Sequence, residues 1–235
     1  MRAFLGLPYG LLVRGLLVPV QAGWRLDAWR CLGSGMCVNG RMVLPRSARA
    51  TAASLALVAV ASCGSLILFF IVGGPFGTIN DVGNALLAVL CAALALVLQR
   101  RVRMAATTVA LAGTVVAVLG TFLVMSDTTG YYLAGLVSAL GFALIGLWLV
   151  AMSRSENLPA ATSALIAGVA MAIGTVNVAG IIGGIDNQDA APSWLLAAGV
   201  CWAGTYLLLP IWSIRFARSF VGPAGLTGPN EQGRT

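Results

Sequence analysis

The stretch richest in possible chemistry is Gly73-Gly74-Pro75-Phe76-Gly77-Thr78-Ile79-Asn80-Asp81-Val82-Gly83-Asn84. Asn80 and Asn84 are spaced i,i+4 and would share one face of a helix. With Asp81 they offer oxygen donors of the kind that suit a hard cation or a polar solute. Asp127 and Asp186 are further carboxylates that could meet them, and Asn177 is a strongly polar residue deep in an apolar run. The candidate polar or solute site is therefore Asn80, Asp81, Asn84, Asp127, Asn177 and Asp186. A structural reading competes. Thr78 could cap a helix N-terminus, which places Asp81 in the first turn, where negative charge suits the helix dipole. Asn177 could hydrogen-bond a neighbouring helix, an interaction worth about 1 kcal/mol in a membrane.

Much other chemistry is excluded by residue type. The 235-residue chain contains no His and no Lys, and all fourteen basic residues are Arg. An imidazole base, a histidine haem ligand and a Schiff-base lysine are therefore unavailable. Arg does not shuttle protons near neutrality. Serine-histidine and zinc proteases fail for want of His, and a phosphate-binding loop for want of Lys. Gly183-Gly184-Ile185-Asp186 has the wrong spacing and context for an aspartyl intramembrane protease. Cys31 and Cys37 are separated by five residues, which is not a zinc spacing, while Cys63, Cys91 and Cys201 lie in apolar runs. No metal, cofactor or catalytic residue is expected.

The elements that must position these residues follow from composition. The chain is 59% hydrophobic and 9% charged, against about 25% charged for a soluble domain. A lipid-facing surface needs no charges. A membrane helix takes about 20 mostly apolar residues, and six stretches qualify: Thr51–Val72, Ile79–Leu98, Met104–Met125, Tyr131–Met152, Ala160–Gly184 and Trp194–Ser213. Pro210 is placed to kink the last of them. The fold class is an all-α integral membrane protein whose six transmembrane helices form three antiparallel hairpins. Gly113, Gly120, Gly135, Gly141, Gly146, Gly168, Gly174 and Gly180 lie within spans, where small residues let helix backbones approach. No ionisable residue falls mid-span, which argues against a proton relay or a voltage sensor.

Charge gives an orientation. Arg46 and Arg49, then Arg100, Arg101 and Arg103, then Arg154, then Arg215 and Arg218 occupy alternate connections, and the others carry only Asp81, Asp127, Asp186 and Asp189. The positive-inside rule puts both termini in the cytoplasm. Phe76, Tyr131, Tyr132 and Trp194 are placed at the outer membrane boundary, and Trp148, Trp212 and Phe216 near the inner one. Arg without Lys, with abundant Ala, Gly and Val, points to a GC-rich bacterial genome and hence to the bacterial cytoplasmic membrane. The net charge of +7 is explained by topology and calls for no nucleic acid.

Three segments are distinguished. Residues 42–220 make the six-helix domain, and residues 221–235 a flexible polar tail. Residues 1–41 are atypical, because Pro8, Arg14 and Pro19 interrupt an apolar run from Ala3 to Ala22. A central Arg costs a membrane helix roughly 2.5–3.5 kcal/mol. The segment reads as an amphipathic stretch on the inner leaflet, as a seventh span, or as non-native sequence ahead of a start at Met42, the last being preferred. Val60-Ala61-Ser62-Cys63 resembles a lipobox, but apolar sequence follows where a lipoprotein turns polar. The first and third hairpins align at an offset of 110, matching Gly64, Gly73, Gly74, Leu86 and Cys91 with Gly174, Gly183, Gly184, Leu196 and Cys201. Internal repeats are common in transporters; chance likeness between Leu/Ala/Gly-rich helices competes, and the middle hairpin does not align.

Two function classes survive. The first, preferred on sequence, is a non-catalytic subunit, scaffold or sensor component whose surroundings are the lipid bilayer and whose partner is another membrane protein or a second copy of the chain. The second is a small transporter or channel for a neutral solute or cation, with a polar site near the outer face.

Overall fold

In a computed structural model of the chain, the six apolar runs become six long helices. The structure describes residues 37–38, 41–42, 45–155, 158–187, 189 and 191–219. The expectations for residues 3–22 and for the tail 221–235 lie outside these. The chain divides into two units, Met1–Val43 and Leu44–Thr235. In the first, β1 (Cys37–Val38) pairs antiparallel with β2 (Arg41–Met42). The second holds all the described helices.

These helices are α1 (Arg46–Val72), α2 (Phe76–Leu98), α3 (Met104–Met125), α4 (Tyr131–Ser153), α5 (Ala161–Ile182) and α6 (Ser193–Arg218). Each is long and apolar enough to cross a membrane, so the chain is a multi-pass membrane protein. Large apolar side chains such as Leu57, Phe70, Val115, Phe122 and Ile182 are exposed around the bundle, as a surface solvated by lipid requires. α1 runs unbroken through Ser62 and Cys63, in keeping with a membrane span there.

Consecutive helices are antiparallel, because their contacts run in opposite sequence order. Gly120 meets Ser138 while Gly113 meets Leu144 and Ile145, which pairs α3 with α4. Gly180 meets Leu136 while Gly168 meets Leu149 and Val150, which pairs α4 with α5. Gly77 meets Phe69 while Gly83 meets Ser62, which pairs α1 with α2. α6 packs against α5 and closes back on α1. α4 is the most enclosed span. Buried residues make up 61% of its most apolar stretch, against 22% in α1.

Close approach explains most of the glycines. A Cβ at Gly113 would lie 2.6 Å from the Gly141 carbonyl oxygen, and one at Gly168 would lie 2.7 Å from that of Gly146. Such contacts hold α3, α4 and α5 together where no hydrophobic force drives association. Hydroxyls add cross-links: Thr114 Oγ1 donates to the Ala88 carbonyl at 3.0 Å, joining α3 to α2. Gly135 departs from the pattern, since a Cβ there would meet nothing.

Two spans are irregular inside. α5 passes through a 3-10 turn at Ile173–Val176. α6 widens to a π-turn at Gly204–Leu208, just before Pro210. Pro210 has no N–H to donate to the carbonyl four residues back, so the ladder must be interrupted there. The interruption takes the form of a widened turn immediately upstream of Pro210.

Three placements differ from the sequence reading. α2 begins at Phe76 behind Pro75, with no side-chain cap, so Thr78 is not its N-cap and Asp81 falls in the second turn. The Gly73 and Gly74 pair, both at positive φ, makes a turn tight enough for the helix to restart that early. Trp148, Trp212 and Phe216 are fully buried, with Trp148 and Trp212 edge-to-face at 6.4 Å. They lie toward the arginine-bearing ends of α4 and α6, and there their rings pack into the core between helices rather than on the outer face of the bundle. The matched glycines of the aligned hairpins also differ in surroundings: Gly64 meets nothing, whereas Gly174 packs on Cys201.

Candidate functional site

Within the helical unit, all the described arginines sit at one end of the bundle. The connections at the other end, 73–75, 126–130 and 183–192, contain none. In that arginine-free half lies a half-open cavity of about 470 Å³. That size is ordinary for a small-molecule site. Its wall is drawn from α1, α2, α3, α4, α6 and the start of the α6 connection at Ala191 and Pro192.

The polar part is built by α2 and α6. Asn80 and Asn84, one turn apart, are both buried. Tyr206 reaches across from the π-turn of α6, and its phenol oxygen lies 2.8 Å from Oδ1 of each amide. The phenol has a single proton, so it donates to one of them. The other amide completes its bond by turning its NH₂ toward the phenol oxygen, an exchange of O and N that costs nothing in shape. The network therefore has two arrangements of similar geometry. Asp81 adjoins it, half-buried, on the same cavity wall.

The apolar part mixes aromatic rings with aliphatic side chains. Trp202 stacks on Tyr206 with ring centroids 5.4 Å apart and planes at 15°. Phe142 supports Trp202 from behind at 5.5 Å. Tyr131 and Tyr132 line the α4 side, and Phe70 and Leu66 the α1 side. Gly135 also lines the cavity, which explains the open space above it.

Of the six candidate residues, the structure brings Asn80, Asp81 and Asn84 together on this one cavity. Asp127 and Asp186 lie on exposed connections, outside its lining. Asp127 occupies the left-handed region at φ 52, a conformation that Asp tolerates better than most residues, so its place in the α3–α4 turn has a backbone reason. The backbone of Asp186 packs on Gly130, where a Cβ would come within 3.0 Å of its carbonyl oxygen. The two polar connections therefore touch, but neither carboxylate is part of the cavity lining.

Asn177 is fully buried between the segments of α5, and neither of its amide atoms has a hydrogen-bond partner among the described residues. It does not line the cavity. The 3-10 turn, with three residues per turn, helps bring Gly174, Asn177 and Gly180 onto one face. Gly174 touches Ala143 and Cys201, and Gly180 touches Leu136 and Leu195, so that face is turned toward α4 and α6.

Sequence reasoning missed Tyr206 and Trp202. A signal was present: two aromatics spaced i,i+4 inside a span, one carrying a hydroxyl, ahead of a proline. Among the described residues no group of three or more His, Cys, Asp or Glu side chains could hold a metal ion. Fold and site thus define a six-helix membrane protein with a polar, aromatic-walled cavity in one half. Comparisons with protein-family models, curated proteins and solved structures give no match.

Proposed function

We propose that this chain binds a small polar or cationic solute in the cavity beneath Tyr206, as a transporter or as the ligand-sensing component of a membrane assembly. The observation that carries the reading is the convergence of Asn80, Asn84 and Tyr206, from helices far apart in sequence, on a cavity of ligand size. Buried polar groups in a membrane protein commonly mark a substrate path. The π-turn that presents Tyr206 is of a kind frequent at functional sites. The proposed setting is a bacterial cytoplasmic membrane with both termini in the cytoplasm. The arginines then face inward by the positive-inside rule, and the cavity opens toward the outside.

A second reading, the non-catalytic subunit or scaffold, is favoured by α1. It is the least enclosed span, and its Gly64 meets nothing among the described residues. A stoichiometric membrane partner retained on purification would support it.

Thermal unfolding of the detergent-purified protein against a panel of cations and small polar solutes tests the first reading. A ligand at about 100 times its Kd adds roughly 2.7 kcal/mol of stability. Stabilisation present in the wild type and absent in Asn84→Ala and Tyr206→Phe is the expected result. Equal stabilisation of all three proteins would place the ligand elsewhere and sink the reading.

A further inference from the structure

The chemistry of the cavity narrows its ligand, given the solute-binding reading above. Among the described residues, Asp81 is the only charged one in the lining. The connections at that end of the bundle carry no Arg, and no arginine is among the described residues of the lining. The same lining holds the phenol rings of Tyr131, Tyr132 and Tyr206 and the indole of Trp202. Aromatic faces carry negative potential and attract cations, most strongly where water is excluded. A carboxylate within such a wall repels anions and leaves neutral solutes without a partner for its charge.

The cavity also has a side facing the membrane. α1 packs along the Gly204–Leu208 and Leu209–Arg218 parts of α6. At the arginine-free end, Leu66 and Phe70 of α1 and Leu196 and Gly199 of α6 all line the cavity instead. Phe70 is 77% exposed and Leu196 76% exposed, so this rim is apolar and open to lipid. A ligand using it must be soluble in the bilayer as well as charged.

We propose that the site takes a lipophilic organic cation, an ammonium-type centre with an apolar body. The cationic centre sits at Asp81 among the Tyr131, Trp202 and Tyr206 rings, and the body lies along Leu66, Phe70 and Leu196. Asn80 and Asn84 hold Tyr206 in place and serve as the neutral polar floor.

The test uses the full chain in nanodiscs, with radiolabelled tetraphenylphosphonium as probe. Tetraphenylborate, an anion of the same size and shape, is the control. The expected result is saturable, displaceable binding of the cation, weakened roughly tenfold or more by Asp81→Asn, and no saturable binding of the anion. Tyr131→Leu, at the exposed rim, weakens binding severalfold, and Tyr131→Phe, which keeps the ring, restores it. A purely structural Tyr131 would not separate those two variants. Equal saturable binding of both ions, or wild-type affinity in Asp81→Asn, overturns the inference. A neutral solute that stabilises the protein through Asn84 and Tyr206, with no cation bound, overturns it but leaves the solute-binding reading standing. Silence from the cations and from every solute in the panel overturns both.

Discussion

Asn177 and Asn84 are both buried amides within spans, yet they stand in opposite situations. Asn84 is bonded to Tyr206 on the wall of a cavity. Asn177 is buried away from that cavity with both amide atoms unpaired among the described residues. A buried polar group without a partner costs about 1–3 kcal/mol. Leu has the same branched shape without the polar atoms. Asn177→Leu is therefore expected to keep or raise the unfolding midpoint in detergent. A loss above about 1 kcal/mol would mean that the amide is hydrogen-bonded in the membrane. The i,i+4 spacing of Asn80 and Asn84 was legible in the sequence because helical periodicity fixes which residues share a face. Their partner was not, because Tyr206 lies more than a hundred residues away and a tyrosine in a span reads as an interface residue. Asp127 and Asp186 illustrate the converse limit. Their shared end of the bundle follows from helix count, but which way a loop carboxylate points depends on turn geometry that composition does not encode.

At the scale of elements, helix count and approximate limits were legible because spanning lipid imposes a minimum length and a nearly charge-free stretch. The interruptions were harder. Pro210 announced a disturbance in α6, but whether the helix bends or widens depends on what packs against the preceding turn. Met171 and Ala170 of α5 sit against Gly204 there. The glycines give a direct comparison. At Gly113 an added methyl would collide with the backbone of α4, and relief requires the two helices to separate. Overpacking of this kind costs typically about 1–3 kcal/mol. At Gly64 the methyl enters open space, and removing a mid-helix glycine gains roughly 0.5–1 kcal/mol. Gly113→Ala is thus expected to lower the unfolding midpoint and Gly64→Ala to hold or raise it. Similar losses in both would show that the face of α1 bearing Gly64 is covered in the membrane, which is the outcome the subunit reading predicts.

For the whole molecule, the division of charge is the organising fact. Every described arginine of the helical unit falls at one end of the helices, and the three connections at the other end carry no basic residue, only Asp127, Asp186 and Asp189 among charged side chains. Inverting the bundle would carry this whole set of arginines across the bilayer, against the bias that orients helices during insertion. The orientation also decides what the cavity can do, since it opens in the arginine-free half. Single cysteines placed in a variant lacking the five native ones separate the two orientations. In intact cells a membrane-impermeant thiol reagent should label Asp127→Cys and Asn187→Cys, both on exposed connections. Arg103→Cys and Arg154→Cys should label only after permeabilisation. The reverse pattern would put the cavity on the cytoplasmic side. A lipophilic cation would then meet Asp81 from the inner leaflet, and binding would serve capture from the cell interior rather than from outside. Labelling of both sets in intact cells would instead indicate mixed insertion, which so one-sided a set of arginines argues against.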